Sequence, residues 1–456
     1  MNYKYLLITG LSFATIIGAK AQNIEKPNII FILTDDMGIG DLSTYGSQGI
    51  KTPNLDKMAE EGIRFTQYYC ASPISSPSRA GLLTGKHPAN WNITSYLQTR
   101  QGNRAAEMVD FLVTDAPTLP RILKENGYKT AHFGKWHLGG GRDVYNAPSI
   151  KEYGYDEYSS TYESPDPDPL LTASDWIWSK KDSIKRWNRT AYFIDKTLDF
   201  LRNNKGQPCF INLWPDDVHT PWIGNYEQME MSPKGENSNK NFNTVLYEYD
   251  YQIGRLLKEL KEEGLDKNTI VIFTSDNGPA PSFNQMRTNG LRGQKASLFE
   301  GGIRMPFIIW GPKASVPKGK VDDVSVISAL DMFSTICSIT NNPLPANFDT
   351  DGEDMSDALF GNPQKRAKNI YWEYRRNGNQ AFPKPQGLNL SPNIAVRSGD
   401  WKLLVNKDGS EVMLFNLKDD IKETNNLAQQ HPEIVKMLKN ITLKWRNSLP
   451  EYRLNE

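Results

Sequence analysis

Residues Asn28–Asp36 read NIIFILTDD: five apolar side chains in unbroken succession, Ile29 to Leu33, then a threonine and two aspartates. A strand with one face in water alternates apolar and polar residues. A run with no alternation, rich in β-branched and aromatic residues, suits a strand covered on both faces. Three further runs share the design. TAHF (Thr130–Phe133) leads into Gly134-Lys135-Trp136-His137, CFINLW (Cys209–Trp214) into Pro215-Asp216-Asp217-Val218-His219, and TIVIFT (Thr269–Thr274) into Ser275-Asp276-Asn277-Gly278. Helical patterns lie between them, at Thr118–Gly127 and Tyr247–Gly264. This alternation predicts an α/β fold with a large, mostly parallel sheet flanked by helices. Such sheets bind ligands beyond the carboxyl ends of their strands. Polar clusters after four strands are therefore expected to share one site.

The pattern changes after the polar, turn-rich stretch Ala358–Asn369. Short strand-like runs follow (NIYWEY, NIAVRSG, WKLLVN, VMLFNL), then the helix-like PEIVKMLKNITLKWRNSL. These predict a smaller antiparallel sheet with a terminal helix. The expected division is residues 1–21 as an export signal, 22–365 as a catalytic α/β domain and 366–456 as a small α+β subdomain.

The signal is read from Lys4, the apolar stretch Tyr5–Gly18 and Ala19-Lys20-Ala21, a small-x-small cleavage pattern. The apolar stretch is short for a bilayer span of ~20 residues, so a cleaved, exported chain without a stable membrane anchor is expected. The 53 basic and 53 acidic residues cancel, which argues against a nucleic-acid surface. The three cysteines, Cys70, Cys209 and Cys337, allow at most one disulfide, and the apolar settings of Cys209 and Cys337 suit buried free thiols.

The stretch Ala71–Pro88, ASPISSPSRAGLLTGKHP, is rich in turn formers yet leads into a helical pattern. Ser76 suits an N-cap, Pro77 the first helical position and Gly85 the C-terminal stop. The expected helix is Pro77–Thr84. Ser75 stands just ahead of it, where free N–H groups and the helix dipole favour an anion, and Arg79 lies one turn in.

Ser75-Ser76-Pro77-Ser78-Arg79-Ala80-Gly81-Leu82-Leu83-Thr84-Gly85 resembles the signature of the type I, formylglycine-dependent sulfatases, a family of the alkaline phosphatase-like superfamily. LTDDMGIGDLSTYG resembles its first metal motif, and GKWHLG is similar to a family hallmark. HTPW resembles the histidine loop, SDNG the second metal pair and LRGQKASLFEGGIRMP the lysine segment. The likeness runs from about Pro27 to the end, and the chain resembles bacterial exported carbohydrate sulfatases. It implies that Ser75, not Cys70, is oxidised to Cα-formylglycine, by an anaerobic radical-type maturation enzyme as transient partner.

Asp35, Asp36, Asp276 and Asn277 are hard oxygen donors, which suit one divalent cation, Ca²⁺ with Mg²⁺ as the alternative, better than zinc. The resemblance implies the remaining roles. Converted and hydrated, Ser75 attacks sulfur with one hydroxyl and expels sulfate by collapse of the other. Arg79 and Lys135 steady the nucleophile and the sulfate oxygens, and Lys295 holds the sulfate from the other side. His137 assists proton movements, and His219 protonates the leaving oxygen. His132 reads as a core residue, and His87 and His431 as turn residues without a role.

Sulfated sugars are the expected substrates, attacked at a chain end. Ser174–Asn188 mixes three tryptophans with a basic run. It reads either as a pocket wall, with Trp176 or Trp178 stacking on a sugar, or as an amphipathic helix. Arg375 and Arg376 are candidates to reach the site from the small subdomain. Two other readings remain open: a phosphate or phosphonate ester hydrolase of the same superfamily, and a non-catalytic binder of sulfated glycans should Ser75 stay unmodified.

Overall fold

The computed structural model describes residues 26–452, apart from 48, 175, 226–238, 282 and 376–384. The expected signal at 1–21 and Arg376 lie outside the described residues.

The large sheet contains β1 (Asn28–Thr34), β2 (Ile63–Tyr69), β3 (Lys129–Gly134), β4 (Glu157–Ser160), β5 (Cys209–Trp214), β6 (Thr269–Ser275), β7 (Arg304–Trp310), β8 (Lys320–Asp322) and β9 (Ile327–Ser328). Its order is β4-β3-β5-β1-β6-β7-β2-β8, with β9 beside β2. Only β7 runs against the rest: it pairs antiparallel with both β6 and β2, and every other pairing is parallel.

Alternate side chains of one strand feed two cores. From β1, Ile29, Phe31 and Leu33 enter one, and Ile30 and Ile32 the other; β6 divides likewise, Ile270 and Ile272 against Val271 and Phe273. This is why the runs show no polar alternation. The second face is covered by helices Pro53–Glu60, Arg189–Asn203 and Asn239–Glu262, each apolar on one side only. The first is covered by Ser75–Thr84, Leu119–Glu125 and Asp331–Ile339.

A second, antiparallel sheet is formed by β10 (Ile370–Glu373), β11 (Ile394–Ser398), β12 (Trp401–Val405) and β13 (Met413–Asn416). Its inner residues Trp372, Ala395, Leu404 and Phe415 join the first core, while Val396, Leu403, Val405 and Leu414 face Leu438 of the closing helix Pro432–Ser448. All three cysteines are buried and free.

Two local expectations change. The helix expected at Pro77 begins at Ser75, with Ile74 as its N-cap. Ser76 does not cap it: it is already the second helical residue, and its hydroxyl accepts the N–H of Leu97 at 3.0 Å. Gly85 ends the helix as expected, at φ 64°. The described residues of Ser174–Asn188 do not form the alternative helix: they are irregular as far as a 3-10 turn at Arg186–Asn188.

Candidate active site

The parallel register brings four strand ends level. Thr34 of β1 faces Ser275 of β6, and Gly134 of β3 faces Trp214 of β5. The segments after them meet above β1, joined by the loop and helix that follow β2.

Ser75 occupies the first turn of a helix whose ten residues are all buried. Its Oγ donates toward Asp35 Oδ1 at 3.1 Å and Asn277 Oδ1 at 3.3 Å. Arg79, one turn on, reaches Asp276 Oδ2 at 2.8 Å and Asp35 Oδ1 at 3.3 Å, donates to the Lys135 carbonyl at 3.1 Å and packs over Trp214. Gly134 delivers Lys135: a Cβ there would stand 2.0 Å from the Trp214 carbonyl oxygen, at φ +124°, so only glycine fits. Lys135 Nζ lies 2.9 Å from Asp35 Oδ2.

Asp36 is held in the left-handed region, at φ 59°, a strained conformation of the kind found at functional sites. Asn277 Nδ2 and Lys295 Nζ each donate to its carboxylate at 2.7 Å. Lys295 Nζ also lies 3.2 Å from His219 Nε2. His219 Nδ1 sits 2.6 Å from the Thr220 carbonyl and must carry the ring proton there. Its Nε2 is then the bare nitrogen, an acceptor for Lys295. Burial, and then Lys295, lower the His219 pKa. His137, buried at φ 53°, places Nε2 at 3.1 Å from the Leu97 carbonyl and 3.3 Å from Glu163, leaving Nδ1 without a hydrogen-bond partner. Burial takes its pKa down to about 3.

Three buried carboxylates thus meet three buried cations. Burial, reinforced by Asp35, pushes Asp276 up to about 7. Burial also opposes the charge on Asp35, but Lys135 and the other cations outweigh it and hold that group well below the usual carboxylate range.

The donors suit a hard cation. Ser75 Oγ stands 3.1 and 3.3 Å from the Asp35 and Asn277 oxygens, the separation of adjacent ligands about 2.3–2.6 Å from one ion. Asp276 Oδ1, accepting the Asp36 N–H at 3.1 Å, belongs to the same cluster. Ligand atoms of Asp35, Asp36 and His219 also lie within 4.8 Å of one another, although His219 Nε2 is engaged by Lys295.

The cluster floors a cavity of about 300 Å³ lined by Ser75, Lys135, His137, His219 and Lys295 and walled by Tyr96, Tyr162 and Trp176. Trp176, 54 % exposed, leans on Tyr162 with ring centres 6.1 Å apart. Trp178 is not among the lining residues. Nor is Arg375, which is tied to Glu107 and Glu373. His132 packs among Trp136, Tyr155 and Trp214 with neither ring nitrogen hydrogen-bonded, a core residue by packing alone. His87 packs against Trp445, and His431 against Trp401.

Two lining residues carried no sequence signal. Glu163 accepts from Arg142 at 2.7 Å and faces Lys135 at 3.9 Å. Burial opposes its charge, but His137, Lys135 and Arg142 prevail and bring it down to about 2. Both sit in the irregular chain around β4, where no periodicity marks them. Arg186, from the basic run, and Arg189 just beyond it are instead buried against Asp216, at 2.8 and 3.0 Å.

Residues 27–342 match the Sulfatase family model, and 293–448 match the model described as N-sulphoglucosamine sulphohydrolase, C-terminal. The chain is 29 % identical to an N-acetylgalactosamine-6-O-sulfatase of Bacteroides thetaiotaomicron, over 95 % of this chain and 96 % of that one. It is 32 % identical to the N-acetylgalactosamine-6-sulfatase of Canis lupus familiaris, over 74 % and 66 % respectively. The solved structure described as "Crystal structure of Ps i-CgsB in complex with k-i-k-neocarrahexaose" superposes with a TM-score of 0.76 at 27 % identity, covering 94 % of this chain and 96 % of that one. The mixed sheet with its small antiparallel partner is accordingly the alkaline phosphatase-like fold, and the chain belongs to the sulfatase family as a sulfuric ester hydrolase.

Proposed function

We propose that the protein is an exported, exo-acting carbohydrate sulfatase that removes a single sulfate from a terminal N-acetylgalactosamine- or galactose-type sugar. One observation carries this reading: Ser75 lies at the floor of a small aromatic-walled cavity, its oxygen directed at Asp35 and Asn277 between Arg79 and Lys135. The cavity is near the lower end of the ~300–1,000 Å³ range of ligand pockets, which suits one terminal sugar with its sulfate inward. The names of the N-acetylgalactosamine-6-sulfatases support that class.

Ser75, once oxidised to Cα-formylglycine and hydrated, supplies the attacking oxygen. A hard divalent cation, Ca²⁺ in our reading, held by Asp35, Asp36, Asp276 and Asn277, supplies Lewis acidity and offsets sulfate charge. The chain does the rest. Arg79 fixes the orientation of Asp276 and Asp35 from below. Lys135, 2.9 Å from Asp35, presents positive charge to the nucleophile and the sulfate. His137 lines the same cavity, with Nδ1 free of any hydrogen-bond partner, and assists the proton movements of the attacking group. Lys295 binds the sulfate from the opposite side. Across its 3.2 Å contact with His219, the pair carries the proton that the leaving alkoxide requires. Trp176 and Tyr162 offer faces for a sugar ring.

Among the described residues no helix is long and apolar enough to cross a membrane; the export reading rests on Lys4, the apolar stretch Tyr5–Gly18 and Ala19-Lys20-Ala21. The test is a panel of mono- and disaccharides, each sulfated at one position. Release from 6-sulfated N-acetylgalactosamine or galactose is expected. Equal release from internal sugars of an intact polymer would overturn the exo reading. Phosphodiester hydrolysis with no sulfate release would overturn the substrate class.

A further inference from the structure

Lys295 sits in an improbable piece of backbone. The residue after it, Ala296, is held at φ 66°, and Gly293 two residues before it at φ 82°. A non-glycine residue in the left-handed region persists only where its surroundings over-determine it. On the inner side the catalytic loops supply part of the restraint: Lys295 N–H donates to the Pro279 carbonyl at 2.9 Å, and Ala296 N–H to the Pro73 carbonyl at 2.8 Å.

The outer side is held by a segment far away in sequence, just before β11. The side-chain Oδ1 of Asn389 accepts the Gly293 N–H at 3.0 Å and Gln285 Nε2 at 2.7 Å, and its main-chain carbonyl accepts Ser297 Oγ at 2.8 Å. One residue thereby grips the chain on both sides of Lys295. Ser391 Oγ adds a bond from Leu298 N–H at 2.9 Å. The lysine being positioned has narrow tolerances, since Nζ must meet Asp36 at 2.7 Å and His219 Nε2 at 3.2 Å together.

We propose that Asn389 is a positioning residue for Lys295, so that the C-terminal part of the chain sets the geometry of the sulfate-binding lysine without touching substrate. The proposal rests on the sulfatase role assigned to Lys295 above. Both donors to the side chain point at one oxygen, so a carboxylate reproduces the grip and a methyl does not.

The experiment is a double-mutant cycle, with sulfate release from the best substrate of the panel as readout. Asn389→Ala is expected to lower kcat/KM on the order of tenfold, the equivalent of one hydrogen bond lost at about 1.4 kcal/mol. Asn389→Asp is expected to stay within about twofold of wild type. In a Lys295→Ala background, Asn389→Ala is expected to have no further effect, because residues acting through one another are non-additive. Hydrogen exchange of the Gly293 amide, which needs no activity, is expected to speed up in Asn389→Ala and not in Asn389→Asp. Should Asn389→Ala reduce the protein yield, Ser391→Ala run through the same cycle tests the same grip from Leu298.

Full additivity in the Lys295→Ala background would overturn the proposal, as would an Asn389→Ala protein with wild-type kinetics and unchanged Gly293 exchange. If Lys295→Ala itself keeps wild-type turnover, the role of the lysine fails instead, and the two failures are told apart.

Discussion

Arg79 Nη2 stands 2.8 Å from Asp276 Oδ2, and neither side chain reaches solvent. The arginine also touches Asp35 and the Lys135 carbonyl, so one guanidinium ties three strand-end loops to the helix bearing Ser75. Removing one partner of a buried pair leaves the other charge uncompensated, at a cost of about 3–5 kcal/mol. Arg79→Ala is expected to lose stability of that size, by urea unfolding, together with activity. Arg79→Lys keeps the charge but not the fork and should fall between. A stable Arg79→Ala protein would show that the pair holds nothing together.

The nucleophile makes a sharper demand. Ser75→Ala should release no sulfate in any host. Ser75→Cys should be active where a cysteine-specific maturase is present. Mass spectrometry of the peptide covering Ser75 should show a loss of about 2 Da on oxidation to the aldehyde. An active Ser75→Ala protein would sink the mechanism.

The oxygen cluster should bind a hard cation. Adding Ca²⁺ to chelated protein is expected to raise its melting temperature, by about 2.7 kcal/mol of stabilisation at a hundredfold excess over Kd, and to restore turnover. Asp276→Ala should fold yet show neither effect. Full turnover of rigorously metal-free protein would remove the cation from the mechanism.

Glu163 gives a pH signature. Its carboxyl is taken from 4.5 to about 2 by His137, Lys135 and Arg142 against the cost of burial; His137 acts only where it is itself protonated, at or below about pH 3, so at neutral pH Lys135 and Arg142 are the charged partners. A folded-state pKa below the unfolded one contributes stability that is complete above about 4.5 and lost as pH falls toward 2. The shift corresponds to at most about 3 kcal/mol. Glu163→Gln should therefore be less stable than wild type at pH 7, and the gap should narrow between pH 4.5 and 3. A gap independent of pH would assign the effect to packing.

Lys402, wholly buried, lies 2.9 Å from both Glu300 and Glu423. Lys402→Met is expected to cost about 3 kcal/mol or more at neutral pH, with part of the loss recovered at pH 5 as a carboxylate takes up a proton. Denaturant midpoints at the two pH values decide this.

What the sequence disclosed follows from what repeats in it. β1 and β6 were legible because burial on both faces removes alternation, and Asp35, Asp36, Asp276 and Asn277 were legible because they follow those strands directly. The reversed direction of β7 was not, since RMPFIIW has the same doubly buried composition as its parallel neighbours. Ser76 has cap chemistry, but Leu97, brought over by tertiary packing, uses its hydroxyl. Glu163 and Arg142 lie in irregular chain, and only the fold places them beside Lys135. The stretch Ser174–Asn188 reads as a pocket wall or a helix, but Asp216 claims its one arginine, Arg186, inside the protein, together with Arg189 just beyond it.

The burial of Ser75–Thr84 also orders events in time. Ser75 is 1 % exposed at the start of a helix with no solvent-facing turn. An enzyme that oxidised this serine would need the residues around it within reach, and the finished fold buries all ten residues of the helix. If Ser75 is converted as proposed, its burial puts that step before folding, and a chain that folded first would keep its serine for as long as it stayed folded.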